Sequence, residues 1–160
     1  MAATVADVRD EVYTRILLKK NLSGYSENSF DLSKTWRPYE LLEDLVQNFP
    51  NGKVYIVACG PGDIVLQDRK AIIGTREYCV FVGFQIAITD VDSMSECDGY
   101  ALLVEELETT CRKEFNLDGF QFSRLEYMKD EKGLPLQFIM QRAALTFESY
   151  FQVYYKTVHS

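Results

Sequence analysis

EYCVFVGFQIAITDVDSMSECDGYALLVEELETTCRKEF, residues 77–115, decides the fold of this chain. Its first part, residues 77–88, puts Tyr78, Val80, Val82, Phe84, Ile86 and Ile88 on one side of an extended backbone. Cys79, Phe81, Gly83 and Ala87 share the other side. Both sides are mostly apolar and rich in β-branched and aromatic residues, which predicts a central strand covered on both faces. The period then changes. Ser93-Met94-Ser95-Glu96 fits a capping box, in which the serine hydroxyl accepts from an early backbone N–H and the glutamate reaches back to the cap. Cys97, Ala101, Val104, Leu107, Cys111 and Phe115 follow at helical spacing, with Glu105, Glu106, Glu108, Arg112 and Lys113 on the polar side. The helix is expected to lie across the sheet on its Val104 stripe.

Toward the N-terminus, residues 4–20 read as an amphipathic helix on Val5, Val8, Val12 and Ile16. Residues 29–37 suggest a short edge strand stopped by Pro38, and Leu41, Leu42 and Leu45 suggest a turn or two of helix. Phe49-Pro50-Asn51-Gly52 is a turn signal, and residues 53–59 alternate as a strand. Gly60-Pro61-Gly62 is expected to break that strand, with residues 64–66 pairing again beyond it. The charged hairpin of residues 62–74 follows.

Toward the C-terminus, residues 120–128 and 145–156 read as strands, and residues 134–140 as a short strand that Pro135 confines to an edge. In the last strand Leu145, Phe147, Phe151, Val153 and Tyr155 are expected to face inward. Thr146, Glu148, Tyr150, Gln152 and Tyr154 are expected to face outward. Together the elements predict one α+β domain spanning residues 1–160.

The 160 residues carry 47% hydrophobic and 13% aromatic side chains, enough for a core without a metal or disulfide. The formal net charge of -7 argues against a nucleic-acid clamp over the whole surface. The N-terminal residues lack the apolar core of a signal peptide, and no apolar run is long enough to span a bilayer, so the chain is expected to stay in a cytoplasm, away from membranes. Cys59, Cys79, Cys97 and Cys111 form no C-x-x-C pair, and His159 is the single histidine. The four cysteines read as small core residues in a reducing compartment.

The search for chemistry predicts no catalytic residue, no metal site and no cofactor. Gly60-Pro61-Gly62 follows a strand, where a phosphate loop would sit, but it lacks the following lysine and its proline removes a needed N–H. Asp90, Asp92, Glu96 and Asp98 crowd a helix start, yet an EF-hand register begun at Asp90 puts Met94, Ser95 and Ala101 where it needs a ligand, glycine and glutamate. Acidic residues there suit the helix dipole. The penultimate His159 is poorly fixed for general-base work. Tyr150 and Tyr154 have two readings: a protein interface, or a seat for the helix of residues 4–20. A domain without an active site, carrying such surfaces, is expected to work by assembling with other proteins.

The order of these elements carries a resemblance. Trp36-Arg37-Pro38-Tyr39-Glu40-Leu41-Leu42-Glu43-Asp44-Leu45 follows an N-terminal helix; Lys53-Val54-Tyr55-Ile56-Val57-Ala58 leads to a Gly-Pro turn. Arg76-Glu77-Tyr78 enters Val80-Phe81-Val82-Gly83-Phe84-Gln85, then Thr89-Asp90-Val91-Asp92 and the helix with Leu102-Leu103-Val104-Glu105-Glu106-Leu107. Phe151-Gln152-Val153-Tyr154-Tyr155 closes the chain. This order resembles the tail terminator (tail completion) proteins of tailed bacteriophages, encoded among the head–tail joining genes. Residues 123–142 match least well. The resemblance implies a mixed, mainly antiparallel sheet flanked by two main helices. It implies a virion protein, assembled in the host cytoplasm, that forms a homohexameric ring. The ring would end tail-tube polymerisation and join the tube protein to the neck or head-completion protein.

DNA would pass the lumen without specific binding, eased by an acidic lining. Asp63, Gln67, Asp68, Arg69, Lys70 and Arg76 of the first hairpin are candidates for subunit or partner contacts. So are Lys129, Asp130 and Lys132 of the turn at residues 129–133, and Tyr150 and Tyr154. A solvated, mobile turn is the competing reading for both loops. Another head–tail connector is the nearest alternative function, and a small metal-dependent hydrolase built on scattered acids the more distant one.

Overall fold

The computed structural model describes residues 4–35, 42–66, 74–88, 94–113, 120–128, 139–141 and 146–157. Its centre is β3 (Gly74–Ala87), paired antiparallel with β2 (Lys53–Leu66) on one side and β6 (Thr146–Thr157) on the other. β1 (Asp31–Lys34) runs parallel to β2 at one edge. The far side of β6 is shared by β4 (Phe120–Tyr127), opposite Phe151–Thr157, and β5 (Ile139–Gln141), opposite Thr146–Glu148. The sheet order is β1-β2-β3-β6-β4, with β5 alongside β6. The fold is α+β with a mixed, mainly antiparallel sheet.

The two long helices are α1 (Val5–Asn21) and α3 (Met94–Lys113); the short α2 (Leu42–Asn48) lies in the crossover between the parallel strands β1 and β2. Val8, Val12 and Ile16 of α1 and Leu103, Val104, Leu107 and Cys111 of α3 join one core. From β3 that core takes Tyr78, Val80, Val82, Phe84 and Ile86, the side expected from the alternation. Phe81 joins Tyr55 and Val57 in a separate cluster on the opposite face. Both long helices therefore cover the same face of the sheet, and α1 does not seat on Tyr150 or Tyr154.

Thr4 caps α1: its side chain accepts from the Asp7 N–H while Asp7 Oδ2 accepts from the Thr4 N–H at 2.8 Å. The box expected at the start of α3 rests on Ser93, which lies outside the described residues, as does Phe115. Helix α3 is tied down by polar contacts as well as by its stripe. Tyr155 donates to the Cys111 carbonyl at 3.2 Å, Tyr127 to Glu108 at 2.9 Å and Tyr25 to Thr110 at 2.9 Å. Burial pushes the Tyr155 phenol well above its ordinary pKa and the Cys111 thiol up to about 12, so both stay neutral at physiological pH.

Gly60-Pro61-Gly62 does not break β2. Pairing runs on from Ala58↔Val80 through Pro61↔Tyr78 to Leu66↔Gly74, with a register shift on each side of Pro61. Each shift places one extra residue on β2, so the stretch is a doubled bulge within one long hairpin. Gly60 supplies a φ of +92°. Among the described residues β1 pairs only with Lys53–Ile56, so Pro61 lies beyond the β1 ladder.

The turn before β2 depends on Gly52, whose φ is +90° and whose N–H donates to the Phe49 carbonyl at 3.0 Å. A Cβ there would lie 2.9 Å from the Phe84 ring and 3.2 Å from Ile86 Cβ. Gly52→Ala is expected to cost about 2 kcal/mol, from the left-handed backbone and the displaced ring together. Gly60→Ala, where a Cβ meets open space, should cost only about 1 kcal/mol. Urea melts of the two variants measure the difference; equal losses would remove Phe84 from the explanation.

Candidate functional site

The sheet face away from α1 and α3 carries two polar groups separated by an apolar middle. The middle is Tyr55, Val57 and Phe81, with Tyr150 stacked on Phe81 at 5.6 Å between ring centroids. Tyr150 can lie flat there because Gly83 has no side chain: a Cβ would stand 2.7 Å from Tyr150 Cδ1.

At one end, Lys53, Gln85 and Glu148 are directly opposite one another across β2, β3 and β6. All three are buried. Tyr55 donates to Gln85 Oε1 at 2.8 Å, and Gln85 Nε2 donates to Glu148 Oε1 at 2.7 Å. The Lys53 ammonium lies over the Phe49 ring at 4.1 Å and the Tyr55 ring at 5.1 Å. Thr146 and Glu148 were expected outward; at 2% and 9% exposure they are buried. β6 is an interior strand, and Gln85 holds Glu148 there, whereas the Thr146 hydroxyl is buried with no hydrogen-bond partner among the described residues.

At the other end, Arg124 of β4 lies over the Tyr154 ring at 3.8 Å and pairs with Glu77 at 3.3 Å and with Glu126. Ser123 donates to the second Glu77 oxygen at 3.2 Å. Partial burial works against the guanidinium charge, but Glu126 and Glu77 more than offset it and hold the Arg124 pKa above its ordinary value. The Tyr154 phenol donates to Gln152 at 3.2 Å. Burial first, and then the neighbouring Cys79, pushes Tyr154 up to about 12.

Cys79 is buried opposite Tyr154, with Cys59 beside it across the bulge. The neighbouring Cys59 thiol, with burial behind it, raises the Cys79 pKa. Cys79 in turn lowers that of Cys59. Cys59 is exposed, not the core residue its strand pattern suggests, because it stands at the bulge where β2 leaves the regular ladder.

Of the expected contact residues, Tyr150 and Tyr154 share this face, half-buried and engaged with Phe81 and Arg124. Asp63 and Arg76 fall on β2 and β3 near the hairpin base, with side chains outside the described part. Gln67, Asp68, Arg69, Lys70, Lys129, Asp130 and Lys132 lie outside the described residues. So do Asp90, Asp92 and His159. The sequence reading missed Arg124, Glu77, Gln85 and Glu148. A charged or amide residue set inside a strand pattern was the available signal.

Chemically, the face presents stacked rings and paired charges. Both Glu77 oxygens and one of Glu148 accept from neighbouring side chains. Among the described residues no three His, Cys, Asp or Glu side chains stand close enough to hold a metal ion. No helix among them is long and apolar enough to cross a membrane. No protein-family model matches the chain, and no curated protein matches its sequence.

Proposed function

We propose that the chain is a structural subunit that assembles into a ring at the head-proximal end of a phage tail tube, ending tube growth and joining tail to neck. The observation that supports assembly best is the rim of the sheet at β4. Arg124 stacks on Tyr154 there, beside a strand that ends the order of the sheet. Arginine and tyrosine are among the side chains that most often carry binding energy at interfaces, and here Arg124 is already placed on the ring by its pairs with Glu77 and Glu126. The phage assignment rests on the order of elements from the N-terminal helix to the closing strand. Under it, the charged hairpin of residues 62–74 and the turn of residues 129–133 contact neighbouring subunits, the tube protein or the neck protein. The acidic balance of the chain favours passage of DNA over its retention.

Mass measurement in solution across a concentration series tests assembly, and addition of the purified protein to tail tubes of uncontrolled length tests termination. A ring that caps the tubes is expected; a monomer at high concentration that leaves tube length unchanged would overturn the reading. Another head–tail connector would form rings without capping.

Arg124→Lys keeps a cation beside Glu77 but loses the planar stack on Tyr154. It is expected to weaken self-association about tenfold or more, with a melting temperature within a few degrees of the parent. Unchanged association would remove this rim from the interface.

A further inference from the structure

We propose that Cys59 and Cys79 are a redox couple that closes to a cross-strand disulfide when the protein meets a hydroperoxide. The two residues sit between the registered pairs Ala58↔Val80 and Pro61↔Tyr78, so they occupy the same stretch of neighbouring strands. At the bulge Cys59 and Gly60 together stand opposite Cys79, which sets the two cysteines side by side on neighbouring strands. One is exposed and the other buried, which gives the pair an entry point and a protected partner. Cys97 and Cys111 are on α3, across the sheet, and take no part. Its exposure, and a pKa that Cys79 lowers while that of Cys79 is raised, make Cys59 the better nucleophile.

The chemistry balances with one hydroperoxide. The Cys59 thiolate attacks the O–O bond; the distal fragment leaves and takes a proton as an alcohol, or as water from hydrogen peroxide, and Cys59 becomes a sulfenic acid. Cys79 sulfur then attacks the Cys59 sulfur, and the sulfenic oxygen departs as water with the Cys79 proton. Two thiols lose two electrons, the peroxide gains them, and one disulfide forms. The bond would staple β2 to β3 at the bulge, where backbone pairing is irregular. A thiol restores the open form, as expected for a transient bond in a reducing compartment.

The test is peptide mass mapping of the full chain after exposure to a small excess of hydrogen peroxide, with free thiols then blocked by N-ethylmaleimide. The expected product links the Cys59 and Cys79 peptides within one chain, at a mass about 2 Da below their sum. It is opened by dithiothreitol, while Cys97 and Cys111 are alkylated. In Cys79→Ser, dimedone should trap Cys59 as sulfenic acid; in Cys59→Ser, oxidation of Cys79 should slow about tenfold or more. A melt of each variant checks folding, and the parent's peptide map stands without them. Full alkylation of all four cysteines, Cys59 sulfinic acid beside an alkylated Cys79, or a Cys59–Cys59 link between chains would each overturn the proposal.

Discussion

Val82→Asp is expected to abolish cooperative folding. Val82 is fully buried in β3, opposite Ile56 of β2 and Phe151 of β6, and its side chain points into the core that α1 and α3 cover. A carboxylate there has no cation among its core neighbours, which are valines, isoleucines, leucines and aromatic rings. Burying it unpaired costs several kcal/mol even if it takes up a proton, and the lost valine packing adds to that. A domain of this kind holds only about 5–15 kcal/mol in total. Circular dichroism should show no sigmoidal melt. Leu102→Asp is the matched control: Leu102 is 46% exposed on α3, so the same change there should cost no more than about 1 kcal/mol. A Val82→Asp protein melting within a few degrees of the parent would mean that β3 is not the middle of the sheet.

Phe84→Ala should cost about 3–5 kcal/mol, the range for deleting a buried aromatic ring. Phe84 is 1% exposed and forms a three-ring group with Tyr100 of α3 and Phe147 of β6, at centroid distances of 6.0 and 6.2 Å; Tyr100 and Phe147 are 5.6 Å apart. The same ring supports the Gly52 turn from below. Removing it opens a void where a helix, two strands and a turn meet, and rings fixed by three neighbours do not collapse readily to fill it. The loss appears in urea as a lower midpoint at an unchanged slope. Phe84→Leu, which refills most of the void, should recover about half of it. A loss below about 1 kcal/mol for the alanine variant would show that α3 is held chiefly by its hydrogen bonds to Tyr25, Tyr127 and Tyr155.

The Tyr154 end of the second face was partly legible beforehand. Two tyrosines spaced by two on a strand must share a face, so Tyr150 and Tyr154 could be paired from spacing alone. What each touches could not. Arg124 reaches Tyr154 because β4 pairs with β6 in one register, and Glu77 joins them because β3 lies on the other side of β6. Lys53, Gln85 and Glu148 come together in the same way, from three strands far apart in the chain.

Patterns within a single element were read correctly because they depend on residues one to four positions apart. The buried side of α1, the two apolar sides of β3, the stripe of α3 and the inward residues of β6 all follow from a period of two or of about 3.6. The sequence reading missed the capping box of Thr4-Val5-Ala6-Asp7, which has the required spacing and closes at the start of α1. Other features do not reside in any local period. Gly60-Pro61-Gly62 looks like a stop, yet it bulges and continues because β3 offers an unbroken partner beyond it.

For the strand–helix unit of residues 77–115, the one-dimensional pattern required a central strand and a helix laid on it. It left open which face the helix takes, which helix joins it there, and what occupies the other side. Tertiary structure put α1 and α3 together, left Cys59 in solvent against a buried Cys79, and drew Glu148 inward to Gln85. Those outcomes depend on strand neighbours and on the free energy of burying whole faces, and both are properties of the assembled sheet.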